Sequence, residues 1–287
     1  MITVQNLTYT YPGANEETLH GLNFDIAEGE IFGFLGPSGA GKSTTQNILI
    51  GLLKHFSGRV QLMGRSVADW GHDLYEQIGV SFELPNHYLK LTALENLNHF
   101  GSLYSGQTHD PLELLSWVDL QDDAGKKVAE FSKGMKVRLN VARSLIHQPK
   151  MLFLDEPTSG LDPVNARKIK DLILRLRQQG TTVFVTTHNM SVADELCDRV
   201  AFITGGNLSV IDAPAALKQQ YGKREVLVAY RNGAEAIEEQ TFALDGLGHD
   251  QAFIQLLQTA VRLETIHTQE TTLENIFIQV TGQELSA

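Results

Sequence analysis

A glycine-rich stretch follows the apolar run at 31–35 and reads Gly36-Pro37-Ser38-Gly39-Ala40-Gly41-Lys42-Ser43-Thr44. Its spacing fits the pattern G-x-x-x-x-G-K-[ST], with a strand-like run before it and a helix-like run after it. Backbone N–H groups can surround an anion where no Cβ obstructs them, and the following helix directs its positive dipole end at the same point. Lys42 adds a charge for the β- and γ-phosphates, and the Ser43 hydroxyl suits Mg²⁺. The stretch therefore predicts a site for a nucleoside triphosphate.

Two adjacent carboxylates, Asp155 and Glu156, follow a second apolar run at 151–154. A triphosphate hydrolase needs one acid to hold the metal ion or its waters and another to orient the attacking water. We assign Asp155 to Mg²⁺ and Glu156 to the water. Adjacent acids are also common in turns, so the pair by itself is a weak indication of a hydrolase site. The continuation Pro157-Thr158-Ser159-Gly160-Leu161-Asp162 strengthens it.

A further motif lies upstream, where Phe131-Ser132-Lys133-Gly134-Met135 leads into a helix-like run that ends near 145. This segment resembles the signature motif of ABC ATPases, the nucleotide-binding subunits of ABC transporters. The order of motifs also matches the family: phosphate loop, helical insertion, signature, Asp-Glu strand, then His188 after the next strand. Because several independent motifs occur in one order over about residues 1–222, the chain is identified as a member of this family.

The resemblance implies that ATP is bound between two protomers. Ser132 and Gly134, at the start of the signature helix, would contact the γ-phosphate of ATP bound by a second protomer, through the helix dipole and backbone N–H groups. Asp162 would cross the same dimer interface, and His188 would reach the γ-phosphate. The catalytic side chains would then be Lys42, Glu156 and His188.

An aromatic side chain near the N-terminus has a counterpart in the family. Tyr11, in Tyr9-Thr10-Tyr11-Pro12-Gly13, resembles the residue that stacks on adenine. Stacking uses the face of a ring and reads little else, so we expect weak selectivity for the base. Tyr9 in the same role, or plain core packing, is an alternative interpretation.

The signature itself departs from the family's commonest form, Leu-Ser-Gly-Gly-Gln. Phe131, Lys133 and Met135 take its first, third and fifth places, while Ser132 and Gly134 are retained. Because the retained residues are those that carry the phosphate contact, we expect function to persist. Ser-Lys-Gly-Met signatures are typical of the ATPase subunits of ABC-2 type exporters.

A second departure follows the strand-like run 78–82, where most members of the family carry glutamine and this chain has Glu83. A carboxylate can still ligate Mg²⁺, but it lacks the amide donor and adds negative charge near the phosphates and Glu156. We expect slower or more metal-dependent turnover; a tolerated family variant is the alternative interpretation. In relatives, the insertion that begins next receives a coupling helix from the transmembrane partner.

The elements that must position these residues define the fold. The apolar runs 151–154 and 181–186 flank a helical segment at 164–179, which indicates a parallel sheet buried on both faces. The expected fold is α/β: a P-loop ABC nucleotide-binding domain at 1–222, with a parallel-sheet core, an antiparallel β subdomain and a helical subdomain inserted at about 84–146. A small C-terminal α+β accessory domain is expected at 223–287.

The C-terminal segment 271–282 resembles the closing segment of exporter ATPases of the ABC-2 group. Its residue spacing predicts an amphipathic helix with Leu273, Ile276, Phe277 and Val280 on one face. Plain core packing would give the same pattern.

Composition restricts the possible partners and locations. The 287 residues carry a formal net charge of −11, which argues against broad electrostatic capture of nucleic acid, and we expect no nucleic-acid partner. The single cysteine, Cys197, cannot form an intrachain disulfide, and burial of an inert thiol is its expected role. Apolar runs of the roughly eighteen residues that a spanning helix needs do not occur. The cysteine content favours a reducing compartment, and the resemblance to ABC ATPases implies a cytoplasmic protein held at the inner face of the cell membrane by its permease.

The sequence is therefore interpreted as an ATP-hydrolysing subunit with ATP and Mg²⁺ as cofactors. Its expected partners are a second ATPase protomer, identical or paralogous, and an integral-membrane permease of the ABC-2 exporter type. The alternatives are an importer ATPase, a soluble ABC protein of translation or DNA repair, and a regulatory module without turnover. The single motif set and the lack of sustained heptads argue against the soluble class.

Overall fold

The computed structural model describes residues 1–222, 224–232, 236–269 and 271–283. The other positions of the expected accessory domain, 223, 233–235, 270 and 284–287, lie outside the described residues. Within the described part, the strands are β1 (Ile2–Tyr9), β2 (Leu19–Ile26), β3 (Ile31–Leu35), β4 (Ser57–Leu62), β5 (Arg65–Ser66), β6 (Ile78–Ser81), β7 (Met151–Asp155), β8 (Thr182–Thr187), β9 (Arg199–Thr204), β10 (Asn207–Asp212), β11 (Glu225–Arg231), β12 (Glu238–Ala243) and β13 (Arg262–Gln269). The helices are α1 (Lys42–Leu49), α2 (Ala93–Gly101), α3 (Pro111–Trp117), α4 (Lys133–Leu145), α5 (Pro163–Gln178), α6 (Met190–Leu196), α7 (Pro214–Tyr221), α8 (Gln251–Thr259) and α9 (Leu273–Thr281).

The strands form three sheets. The central sheet has the order β10-β9-β3-β8-β7-β6, in which β9 to β6 run parallel and β10 is antiparallel. A second sheet, β2-β1-β4-β5, is antiparallel throughout. The third sheet, β12-β11-β13, is also antiparallel and belongs to the C-terminal region. The expected α/β fold with a parallel core and an antiparallel subdomain is therefore confirmed.

The central strands β3 and β8 are buried at every position, so both faces of the sheet are covered. Phenylalanine side chains fill the space between the central sheet and the antiparallel sheet. The rings of Phe34 and Phe184 lie 5.5 Å apart, and Phe24 on β2 lies 5.6 Å from Phe34. This aromatic layer fixes the two sheets together directly behind the loop that follows β3.

The segment between β6 and β7 is helical, and its helices begin at polar caps. Thr92 and Glu95 form a reciprocal capping box at α2, and Asp110 caps α3 just before a proline. Leu97, Leu114 and Leu139 from α2, α3 and α4 are fully buried in the same apolar cluster as β7. The inserted helices are thus packed directly on the strand that carries Asp155.

The elements of the C-terminal region pack against two different cores. Val226, Val228 and Phe242 of the third sheet form a small core with Leu256 of α8. Helix α9 instead buries Leu273, Ile276 and Phe277 in the main core, where the Phe277 ring lies 5.2 Å from that of Phe202 on β9. The amphipathic helix predicted from the sequence is therefore confirmed, and its apolar face covers the cassette. The domain boundary at 222/223 remains a prediction, and we propose that α9 belongs structurally to the first domain.

None of the helices in the described ranges combines the length and apolar character needed to cross a bilayer. Cys197 is buried beside β3, and burial raises the pKa of its thiol well above the ordinary value. The inert role expected for this thiol agrees with that environment.

Candidate nucleotide-binding site

The glycine-rich loop joins β3 to α1 and lies against the end of β9. A Cβ on Gly36 would come within 2.1 Å of the backbone oxygen of Ile203, so no larger residue fits there. Gly41 has φ +108°, a left-handed conformation that favours glycine, and it directly precedes the first residue of α1. The loop backbone can thus wrap around an anion at the helix N-terminus, which fits the phosphates of ATP.

Lys42 is folded back onto this loop. Its Nζ donates to the carbonyl oxygens of Gly36 and Pro37 at 2.6 and 2.9 Å. Burial lowers the pKa of Lys42 below its ordinary value, while the charges of Glu156, Asp155 and Glu83 act in the opposite direction. A phosphate oxygen that enters the loop would replace the two carbonyls as the acceptor of this ammonium group.

Glu156 is held in one orientation by the neighbouring strand. Its backbone adopts φ +48°, uncommon for a residue with a side chain, and its amide donates to the Thr186 oxygen at 2.9 Å. The carboxylate accepts from the Thr187 hydroxyl at 2.8 Å, from the His188 amide at 2.8 Å and from His188 Nδ1–H at 2.6 Å. Glu156 and His188 therefore form one hydrogen-bonded unit.

Asp155 lies at the carboxyl end of β7 and accepts a hydrogen bond from the Thr186 hydroxyl. Burial raises the pKa of Asp155 above its ordinary value, and the charges of Glu156 and Glu83 add to the effect. A divalent cation would offset this repulsion. Asp155, Glu83 and Ser43 line one pocket and supply the oxygen ligands that Mg²⁺ prefers, so the donor set fits this ion together with substrate phosphates.

The pocket has a volume of about 310 Å³ and joins motifs that are far apart in the sequence. Its lining residues are Ser38, Gly39, Gly41, Lys42, Ser43, Thr44, Glu83, Asp155, Glu156 and His188. The structure thus brings the phosphate loop, the Asp-Glu pair, His188 and Glu83 together. Gly36, Pro37 and Ala40 belong to the loop without lining the pocket, and Tyr11, Ser132, Gly134 and Asp162 lie outside its lining.

The two tyrosines near the N-terminus differ in exposure. Tyr9 is buried in the core, while Tyr11 is 41% exposed and packs edge-on against Tyr9. The Tyr11 hydroxyl forms a 3.0 Å hydrogen bond with the hydroxyl of Thr44 in the phosphate loop. Tyr11 therefore presents a ring beside the loop, and adenine stacking on it stays a prediction.

The signature residues lie beside the loop that carries Asp162. Ser132 caps α4 by accepting from the Met135 amide at 3.2 Å, and Asp162 caps α5 by accepting from the Asn165 amide at 3.0 Å. A Cβ on Gly134 would lie 3.2 Å from the Leu161 side chain, so the two helix starts are in contact. Since both lie away from the pocket lining, a phosphate contact from them requires a nucleotide held by another protomer.

Sequence reasoning missed three supporting side chains. Thr186 and Thr187 hold the two acids through their hydroxyls, as described above. Asn140 on α4 donates to the Ser81 hydroxyl at 2.9 Å and to the Phe82 oxygen at 2.8 Å, and so ties the signature helix to the segment that precedes Glu83. The two threonines could have been found from the sequence, because they directly precede His188 at the end of a buried strand. No sequence pattern singles out Asn140.

The site combines three features: a phosphate loop after a central strand, an Asp-Glu pair on a strand of the same sheet, and a signature helix from an inserted subdomain. Together they define an ABC nucleotide-binding cassette. The family model for ABC transporters matches residues 19–159. A second model, the fluoroquinolone efflux ABC transporter C-terminal domain, matches residues 224–270.

Full-length relatives agree with these matches. The chain is 54% identical over 286 residues to a fluoroquinolones export ATP-binding protein of Mycobacterium tuberculosis, covering 100% of this chain and 95% of the relative. It is 32% identical to a linearmycin resistance ATP-binding protein of Bacillus subtilis, with 99% of each chain covered. A bacitracin transport ATP-binding protein of Bacillus licheniformis is also 32% identical, over 98% of this chain and 97% of the relative.

Among solved structures, a dimeric ATP-binding cassette in a post-hydrolysis state with ADP and Pi matches with a TM-score of 0.68 and 32% identity. The match covers 74% of this chain and 98% of that structure.

The chain belongs to the ATP-binding proteins of ABC transporters. It binds ATP and is an ATPase of that family.

Proposed function

We propose that this protein is the ATPase subunit of an ABC exporter, that two copies enclose ATP and Mg²⁺, and that their closure drives a separate permease of the ABC-2 type. The observation that carries the proposal is the single pocket shared by Lys42, Ser43, Asp155, Glu156 and His188. The names of the relatives refer to export, resistance or transport, and they do not favour the importer and soluble alternatives.

In the proposed reaction, the loop amides and Lys42 bind the triphosphate and compensate its charge. Ser43 and Asp155, with Glu83 beside them, would hold Mg²⁺, which supplies further positive charge when bound. Glu156 would orient the attacking water and accept its proton, because its carboxylate is fixed at the pocket wall. His188 shares the hydrogen-bonded unit with Glu156 and would contact the γ-phosphate.

A groove of about 510 Å³ between the central sheet and the inserted helices is the proposed docking site of the permease. Its walls are mainly apolar and include the exposed side chains of Leu52, Phe82 and Tyr88. Phe82 directly precedes Glu83 of the nucleotide pocket, so a cytoplasmic helix of the permease in this groove would sense the state of that pocket. The protein would then be held at the inner face of the cell membrane.

We further propose that the exported compound is of the fluoroquinolone class. Support comes from the relative named for fluoroquinolone export, which is similar over the whole chain, and from the matching C-terminal domain at 224–270. Cells that lack the protein should accumulate more fluoroquinolone than the parent strain, and the wild-type gene should restore efflux. Restoration by a Glu156→Gln variant, or equal accumulation in both strains, would contradict the proposal.

The permease can be identified with the same variant. Affinity-tagged Glu156→Gln protein, purified from gently solubilised membranes with ATP and Mg²⁺, should retain an integral-membrane protein with several spanning helices. A Tyr88→Glu change in the groove should reduce that recovery at least about tenfold, whereas Leu112→Glu on the exposed side of α3 should not. Recovery of ribosomal or other soluble partners alone would favour the soluble class instead.

A further inference from the structure

The two departures from the family's commonest motifs are charged residues of opposite sign. Lys133 stands where the signature usually has glycine, and Glu83 stands where glutamine is usual. Each change adds one charge to a surface that should contact ATP. Their opposite charges can offset each other only where the two surfaces meet.

Lys133 occupies an electrostatically unfavourable position within its own protomer. It is the first residue of α4, directly after the Ser132 cap, and no acidic residue lies in the first turn of that helix. A cation is disfavoured there because the helix dipole is positive at its N-terminus. Among the residues that the structure describes, Lys133 forms no ion pair that would offset this repulsion.

The Lys133 side chain lies across Gly160, at the loop that leads to Asp162. Its Nζ is 3.4 Å from the position that a Cβ on Gly160 would take, and its Cε is 3.2 Å from the same point. The ammonium group thus lies at the shared edge of the signature and the Asp162 loop. In the proposed dimer, this edge faces the nucleotide of the partner protomer.

The nucleotide pocket has the opposite imbalance. Its lining holds three carboxylates, those of Glu83, Asp155 and Glu156, against the single lysine Lys42. The charge of Glu83 acts on both Lys42 and Asp155. Within the described ranges, Glu83 has no ion-pair partner of its own. A triphosphate adds more negative charge than one Mg²⁺ returns, so the filled pocket still carries an excess of negative charge that a cation of the partner protomer can offset.

We propose that Lys133 of one protomer contacts the triphosphate bound by the other and neutralises the charge that Glu83 adds to that pocket. The inference rests on the proposed ATP-bound dimer and assigns it a further nucleotide-contacting residue. Lys133 is then required because Glu83 is present. A protomer by itself would gain nothing from Lys133, since its own signature lies away from its own pocket.

A double-mutant cycle tests this coupling. The full-length Glu156→Gln protein serves as the background, and sedimentation measures the ATP concentration that gives half-maximal dimer with Mg²⁺ at low salt. Lys133→Met should raise this concentration about tenfold, and the effect should shrink as salt increases. In a protein that also carries Glu83→Gln, the same Lys133→Met change should have less than about a threefold effect.

Two controls separate the inference from its alternatives. Lys127→Met removes an exposed lysine from the same inserted region and should leave the dimer unchanged. Binding of a fluorescent ATP analogue to the monomer should be unaffected by Lys133→Met, because Lys133 acts on the partner's nucleotide. A change in monomer binding, or an equal effect of Lys133→Met with and without Glu83→Gln, would overturn the inference. Failure of the Glu156→Gln protein itself to dimerise would instead overturn the proposed function.

Discussion

A buried histidine in the groove proposed for permease docking should make the fold sensitive to mild acid. His87 is buried in the groove wall, and its Nε2–H donates to the Lys136 oxygen at 3.0 Å. Burial lowers the pKa of His87 from 6.5 to about 4, with smaller contributions in the same direction from the charges of Arg143 and Lys136. The unfolded chain therefore takes up this proton more readily than the folded protein does.

The size of the effect follows from the two pKa values. Stability from the neutral His87 is fully present above pH 6.5 and is lost as the pH falls toward 4. At pH 5 the imidazole would be mostly charged in the unfolded chain and mostly neutral in the folded protein. This difference lowers the free energy of unfolding by about 2 kcal/mol relative to neutral pH.

Urea unfolding at pH 7.5 and pH 5.0 measures this loss in the wild type and in a His87→Gln variant. The glutamine amide can donate to the Lys136 oxygen but does not titrate, so the variant should lose about 2 kcal/mol less than the wild type between the two pH values. His55→Gln, at an exposed position, is the matched control and should follow the wild type. Equal losses in the wild type and His87→Gln would show that His87 does not cause the loss of stability at pH 5.0.

Three further changes test other parts of the structure. Phe277→Ala should lower the free energy of unfolding, measured in urea, by about 3–5 kcal/mol. Ile278→Ala, at a partly exposed position of the same helix, should lower it by about 1 kcal/mol or less. Similar losses in the two variants would show that α9 is not part of the core. Thr187→Val removes a donor to Glu156 and should reduce kcat about tenfold with little change in ATP affinity; an unchanged kcat would contradict its positioning role. Glu83→Gln should raise the rate of hydrolysis or reduce its dependence on Mg²⁺, and we would abandon the metal role of Glu83 if both stayed the same.

The parts of the site that could be predicted from the sequence are those whose chemistry is local. The loop from Gly36 to Thr44 needs only its own spacing, and Asp155 and Glu156 need only a preceding buried strand. Parallel strands then bring their carboxyl ends to one edge of the sheet, which explains why these groups share a pocket. Glu83 was placed by resemblance to the family, and the structure puts it in the same lining.

The remaining contacts depend on tertiary packing. Spacing in the last helix shows which face is apolar, but it does not show whether Phe277 covers the accessory sheet or the cassette. The hydrogen bonds of Thr187 and Asn140 depend on which strand or helix lies beside which, information that no short motif contains. The position of Lys133 over Gly160 likewise requires two helix starts to meet.

The most direct test of the proposed function is the response of the Glu156→Gln protein to MgATP, with sedimentation and phosphate release followed on the same sample. We expect a dimer with MgATP, a monomer when Lys42→Ala is added, and hydrolysis at least about 100-fold slower than in the wild type. A Glu156→Gln protein that remains a monomer and hydrolyses ATP at the wild-type rate would contradict it.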